Sequence, residues 1–155
     1  MYNGLLYLHS LMRWIILLLL VIAILRHLSG MMSKRLVNAA DKRIDLFLMI
    51  SAHITLVIGL YQWIVGGYGL KSIMNNGFGV VMKNNILRFW AVEHIFGMLV
   101  AIAFITIGRG AVKRAAGPGA HKKAFWFFLL ALLVILATVP WPFRAGIGRP
   151  WFPGT

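Results

Sequence analysis

Trp14-Ile-Ile-Leu-Leu-Leu-Leu-Val-Ile-Ala-Ile-Leu25 runs for twelve residues without one polar side chain. An amphipathic helix or half-buried strand of a soluble domain would break such a run with polar positions. Extended outward, it becomes an apolar segment over 5–28, and three more follow at 44–66, 87–108 and 123–139. A helix needs about 20 apolar residues to cross the hydrocarbon layer, at about 1.5 Å per residue. The first three segments reach that length, and the fourth does so if Lys122 and Lys123 snorkel at its start. Backbone groups in lipid must bond within their own segment, so each run is read as a helix. The expected architecture is an all-α membrane protein, a four-transmembrane-helix bundle. The four spans take up most of the 155 residues, so residues 1–155 read as a single transmembrane domain.

The net charge of +13 would suggest nucleic acid in a soluble protein, but its placement suggests topology instead. Arg26, Lys34, Arg35, Lys42 and Arg43 flank the first connection, and Arg109, Lys113, Arg114, Lys122 and Lys123 the third. Only Lys71, Lys83, Arg88, Arg144 and Arg149 lie toward the other side. Ten against five, with the ten close to the spans, predicts a cytoplasmic first and third connection. Both termini then face the periplasm of a bacterial inner membrane. The expected counter-charge is anionic lipid of the bilayer, with no nucleic-acid partner. The start, Met1-Tyr-Asn-Gly4, lacks a basic region, and no cleavage signal follows Leu25, so the first span is expected to be retained.

The chain has no cysteine, which excludes disulfides, thiolate metal sites and cysteine nucleophiles. Nor does it contain a phosphate-binding glycine loop or a carboxylate pair suited to catalysis. Ser10, Ser51 and Thr55 read as helix-packing groups. Thr55 and Gly59 form a small-xxx-small pair that predicts close packing of the second span. Trp63, Trp90 and Trp141 fall at the expected outer ends of the spans and Trp126 at an inner end, as interfacial aromatics do. The 66–87 connection, rich in Gly and Asn, is expected to be irregular or to lie along the interface. Residues 115–120 form a helix-breaking cluster, and the tail after Pro140 is expected to be extended. Asn38-Ala-Ala-Asp41 offers a cap for a short run leading into the second span.

Ionisable residues inside a span are costly and are functional candidates by default. His9, Arg13, His53, Glu93 and His94 qualify. Counted from the expected boundaries, His9 lies about 6 Å and His94 about 10 Å below the outer face, and His53 about 13 Å from the inner one. Two histidines at similar depth on different helices match a bis-imidazole haem b. That makes His9 and His94 the expected iron ligands, with Arg13 and Arg88 near enough for the propionates. Arg13 and Glu93 lie at similar depth and predict an interhelical ion pair. His27 and His121 fall at the inner ends of their spans; His27 reads as a topological residue, and His53 with His121 is a poorer ligand pair. The alternative is that these polar groups only bind helix to helix.

Several short segments carry a resemblance: Leu8-His9-Ser10-Leu-Met-Arg13-Trp14, Asp41-Lys42-Arg43, Ala52-His53-Ile-Thr-Leu-Val-Ile-Gly59-Leu60, Glu93-His94 with Ile105-Thr-Ile-Gly108, and Val139-Pro-Trp-Pro142. Together they resemble small four-helix membrane proteins, common in Bacteroidota, that are labelled "cytochrome b-like". The resemblance implies haem b without fixing its ligands. More distantly the chain looks like dihaem b-type cytochromes, which place histidines on the first, second and fourth helices. It departs from them in the fourth, where only His121 is present. The function expected from all this is a small membrane subunit of a redox or respiratory assembly, docked on a larger membrane complex. Two other readings are a cofactor-free accessory subunit and a quinone site at His53 or at Glu93-His94.

Overall fold

The computed structural model describes residues 2–114, 117 and 119–152. Helix α1 spans Tyr2–Met32 and α2 Ala39–Val65. Three short helices, α3 (Leu70–Asn76), α4 (Phe78–Lys83) and α5 (Asn85–Arg88), and a wide π-helical turn, Phe89–Glu93, lead into α6 (His94–Lys113), and α7 spans Gly119–Thr138. Four helical stretches are long and apolar enough to cross a membrane, which makes this a multi-pass membrane protein. Most of them run past the apolar segments that predict them. At 31 residues, α1 is about 46 Å long against about 30 Å of hydrocarbon.

Each long helix packs on its neighbours in the chain, and α7 closes the ring against α1. Burial is reversed from that of a soluble bundle. Leu18, Leu25, Val57, Phe96 and Leu133 point outward and are exposed, whereas His27, Asp41, Asp45 and His121 are buried inside. Apolar side chains gain nothing from leaving lipid, so small residues and polar groups hold the helices together. Ala101, Ala124 and Ala131 are buried with Ile105 and Phe128. A Cβ on Gly97 would strike the Thr138 side chain, and one on Gly108 would come within 2.7 Å of the Phe128 ring. Those two glycines set how closely α6 approaches α7.

Three local features follow from chemistry at the termini. The Asn38 side chain accepts from the Asp41 amide, and the Asp41 side chain accepts from the Asn38 amide, both at 3.0 Å. This reciprocal box starts α2, as the sequence predicts. The 66–87 connection is not irregular: three short helices form there, broken at Gly77, whose φ of +80° suits a residue without a Cβ. The tail is not extended either. Its amides at Arg144, Gly148 and Arg149 bond back to Trp141, Arg144 and Pro140 carbonyls, folding it over the end where α1 begins. Within the breaker cluster, residues 115, 116 and 118 lie outside the described residues.

Candidate functional site

At the end of the bundle under the tail, the four helices diverge around an apolar cavity of about 430 Å³. His9 on α1 and His94 on α6 both line it, and their ring centres are 6.3 Å apart with planes at 67°. The sequence predicts this juxtaposition from depth alone. Two further details come only from the fold.

His94 is the first residue after the π-helical turn; its amide reaches the Phe89 carbonyl five residues back. A π-turn inserts one residue into the helix and rotates the residues beyond it, and such turns recur at functional sites. Here the rotation sets His94 between Phe89 and Trp90 on its own helix and His9 across the cavity. His94 Nδ1–H donates to the Thr138 carbonyl at 2.9 Å, which leaves Nε2 as the ring's free lone pair. A hydrogen bond of this kind fixes tautomer and orientation in metal-binding histidines. His9 stands against Gly59, where a Cβ would come within 2.9 Å of the ring. Close packing predicted for Thr55 and Gly59 therefore serves α1 through this histidine. The Nδ1 of His9 is buried without a hydrogen-bond partner.

Arg13 lines the cavity and donates from Nη2 to the Pro150 and Trp151 carbonyls at 3.3 and 2.9 Å, while Trp14 donates to Trp151 at 2.9 Å. Trp14, Trp141 and Trp151 pack together beside them. The tail is thus pinned as a cover over the cavity mouth, with Arg149 set above Trp90. From below, Gln62 donates to the Leu5 carbonyl and Trp63 to that of Ala91, both at 2.9 Å, which ties α2 to α1 and to the π-turn.

Three expectations need correction. Glu93 does not pair with Arg13: Arg88 takes it at 2.6 Å, because the helical turn puts that guanidinium five residues away in the same chain. Arg88 is then committed to Glu93, Asn85 and the Met82 carbonyl and does not line the cavity. His53 is exposed on the outer face of α2 and donates to Met49 four residues earlier at 2.8 Å. It is satisfied within its own helix and does not line the cavity that His9 and His94 share.

The two histidines at the inner ends are among the fully buried polar groups of the described residues. His27 and His121 are fully enclosed, their Nδ1 atoms 2.8 Å apart, and His27 Nε2 faces both oxygens of Asp45 at 3.1 and 3.2 Å. Nearby, Asp41 gathers Arg26 at 2.8 Å and Arg35 at 2.6 Å. One signal in the sequence pointed here: the chain has only three acidic residues, and Asp41 and Asp45 stand four apart, on one face of α2.

No family model, curated protein or solved structure matches the chain. Among the described residues, no group of three or more His, Cys, Asp or Glu side chains could hold a metal ion. A bis-imidazole haem needs only two. With metal–nitrogen bonds of about 2 Å, imidazoles on opposite sides of one metal have centres about 6 Å apart. The His9–His94 separation and the tethered His94 fit that donor set.

Proposed function

We propose that this protein is a small integral-membrane redox subunit that holds one haem b between His9 and His94. The observation that carries the reading is the pair of buried imidazoles facing each other across an apolar, tail-covered cavity. His94 would ligate through Nε2, its other nitrogen being held by Thr138. Haem b, when bound, supplies one-electron transfer at an iron whose potential depends on its axial ligands and surroundings. The chain supplies orientation through Thr138 and Gly59 and cover through the tail residues Arg149, Pro150 and Phe152, which line the cavity. It also places a positive guanidinium, Arg13, at the cavity wall, where an anionic cofactor edge would be favoured. Docking on a larger membrane complex completes the proposal, since one haem without a donor or acceptor moves no electron onward.

Protein purified from its native membrane should show haem absorption that shifts on dithionite reduction. His9→Ala and His94→Ala should each abolish that spectrum, whereas His27→Ala, His53→Ala and His121→Ala should keep it. A haem-free wild-type protein, or retention of haem in His94→Ala, overturns the reading. A membrane quinone is the rival occupant, favoured by the mostly apolar lining. Solvent extraction and chromatography of a haem-free preparation would recover it.

The proposal includes an inner-membrane location with both termini in the periplasm, supported by the ten-to-five distribution of Lys and Arg. Reporter fusions at the C-terminus should be active only in the periplasmic format. Activity of a cytoplasmic reporter there would reverse the orientation.

A further inference from the structure

The far end of the bundle, where the basic connections lie, holds a cluster that the redox reading leaves unused. Asp45 on α2, His27 on α1 and His121 on α7 form one continuous hydrogen-bonded chain, all of it buried. With the Asp45 carboxylate ionised and His27 neutral, the contacts assign the protons in that chain. His27 Nε2 faces both carboxylate oxygens of Asp45, so this nitrogen carries a hydrogen. The two Nδ1 atoms, 2.8 Å apart, must share one hydrogen between them. With His27 neutral, its Nδ1 is the acceptor and His121 Nδ1–H the donor. That leaves His121 Nε2 as a bare lone pair, and it is buried with no hydrogen-bond partner.

We propose that Asp45, His27 and His121 form a proton-loading site, entered through Nε2 of His121 from the basic end of the bundle. A proton from water at that end forms the new N–H bond at His121 Nε2. The His121 Nδ1–H bond breaks as its hydrogen passes to Nδ1 of His27. His27 is then an imidazolium against the Asp45 carboxylate, and His121 is neutral again in its other tautomer. One proton has entered, the positive charge rests beside Asp45, and no heavy atom has to move. Release is the reverse.

Two structural details distinguish this from helix-packing glue. Packing alone would be served by the His27–Asp45 pair, yet a second imidazole meets His27 edge to edge with one nitrogen unsatisfied. Room for that imidazole is made by Gly30, where a Cβ would lie 2.5–2.6 Å from three atoms of the His121 ring. Phe128 covers His27 with ring centres 5.5 Å apart, so the inner end of the chain is dry. His121 itself sits in the first turn of α7, next to exposed Lys122 and Lys123, at the basic end of the bundle.

Charged groups face the site from every side. Arg109 on α6, with buried Nε and Nη1 atoms that lack partners, and Asp41 on α2 act on Asp45. Arg35 and Asp41 act on His121, and Arg26 and Arg35 are both tied to Asp41. Arg109 and Arg35 oppose an added proton, Asp41 and Asp45 favour it, and only Asp45 does so through a direct hydrogen bond.

The test is nitrogen NMR of histidine-labelled protein in lipid nanodiscs, with His27 and His121 assigned by His27→Gln and His121→Gln. Across an acid titration, both rings should change together with a single inflection. His27 should go from the Nε2–H form to the doubly protonated one, while His121 switches from Nδ1–H to Nε2–H. Asp45→Asn should remove the His27 imidazolium, and Asp45→Glu, which keeps the carboxylate, should retain it. Two separate inflections, or no change over the range in wild type, overturn the proposal even if neither variant folds. So does an unaltered titration in Asp45→Asn. The transition should persist in His94→Ala, so loss of the redox reading and loss of this one are told apart.

Discussion

Asp41→Ala should lower the thermal stability of the detergent-solubilised protein by about 3 kcal/mol, the range for breaking a buried ion pair together with a helix cap. Asp41 is fully enclosed and accepts from two guanidiniums and one backbone amide: Arg26 Nε at 2.9 Å, Arg35 Nη1 and Nη2 at 2.6 and 3.0 Å, and the Asn38 amide at 3.0 Å. The Arg35 contact is the two-pronged kind, which carries geometric as well as electrostatic strength. Both arginines keep about a third of their side chains exposed. Once unpaired they can turn to water or lipid phosphate, which holds the loss below that of a wholly buried charge pair. Asp41→Asn separates the contributions, since an amide oxygen can still accept from Asn38 but no longer balances two cations. It should lose an intermediate amount. Equal stability of Asn and wild type by thermal unfolding would show that the ion pairs contribute nothing.

Gly30→Ala should be destabilising by about 2 kcal/mol, against the usual helix preference. In an exposed helix interior, alanine gains about 1 kcal/mol over glycine. Here the new methyl would sit 2.5–2.6 Å from three ring atoms of His121, and that ring cannot swing aside without losing its 2.8 Å bond to His27. Overpacking of this kind costs about 1–3 kcal/mol, and the broken hydrogen bond adds about 1 kcal/mol, so the steric term wins. A double-mutant cycle checks the cause. In a His121→Ala background the ring is gone, and Gly30→Ala should become neutral or stabilising. If the two losses add instead, His121 is not what the methyl strikes.

Much of the architecture was decided by composition and periodicity. Continuous apolar runs such as 14–25 can satisfy their backbone in lipid only as helices, and that requirement does not depend on how the helices meet. The depth of a residue along a helix is likewise a matter of counting, so the approach of His9 to His94 was legible before any packing was known. The Asn38–Asp41 cap was legible too, because its partners are three residues apart in one chain.

What the tertiary structure decided is the direction in which each side chain points around its helix. Lipid exerts no hydrophobic preference between the faces of an apolar helix, so residues 44–66 carry little record of which face turns inward. His53 was therefore placed by depth in a site that it faces away from, and Arg13 was matched to Glu93 although Arg88 lies closer along the chain. The π-helical turn at 89–93 adds a residue to the helical count and re-aims His94 in a way that no regular periodicity encodes. His27 and His121 stand 94 positions apart and each looks like a boundary residue by itself. Only the closure of α7 against α1, made possible by a missing side chain at Gly30, turns them into one buried chain with Asp45.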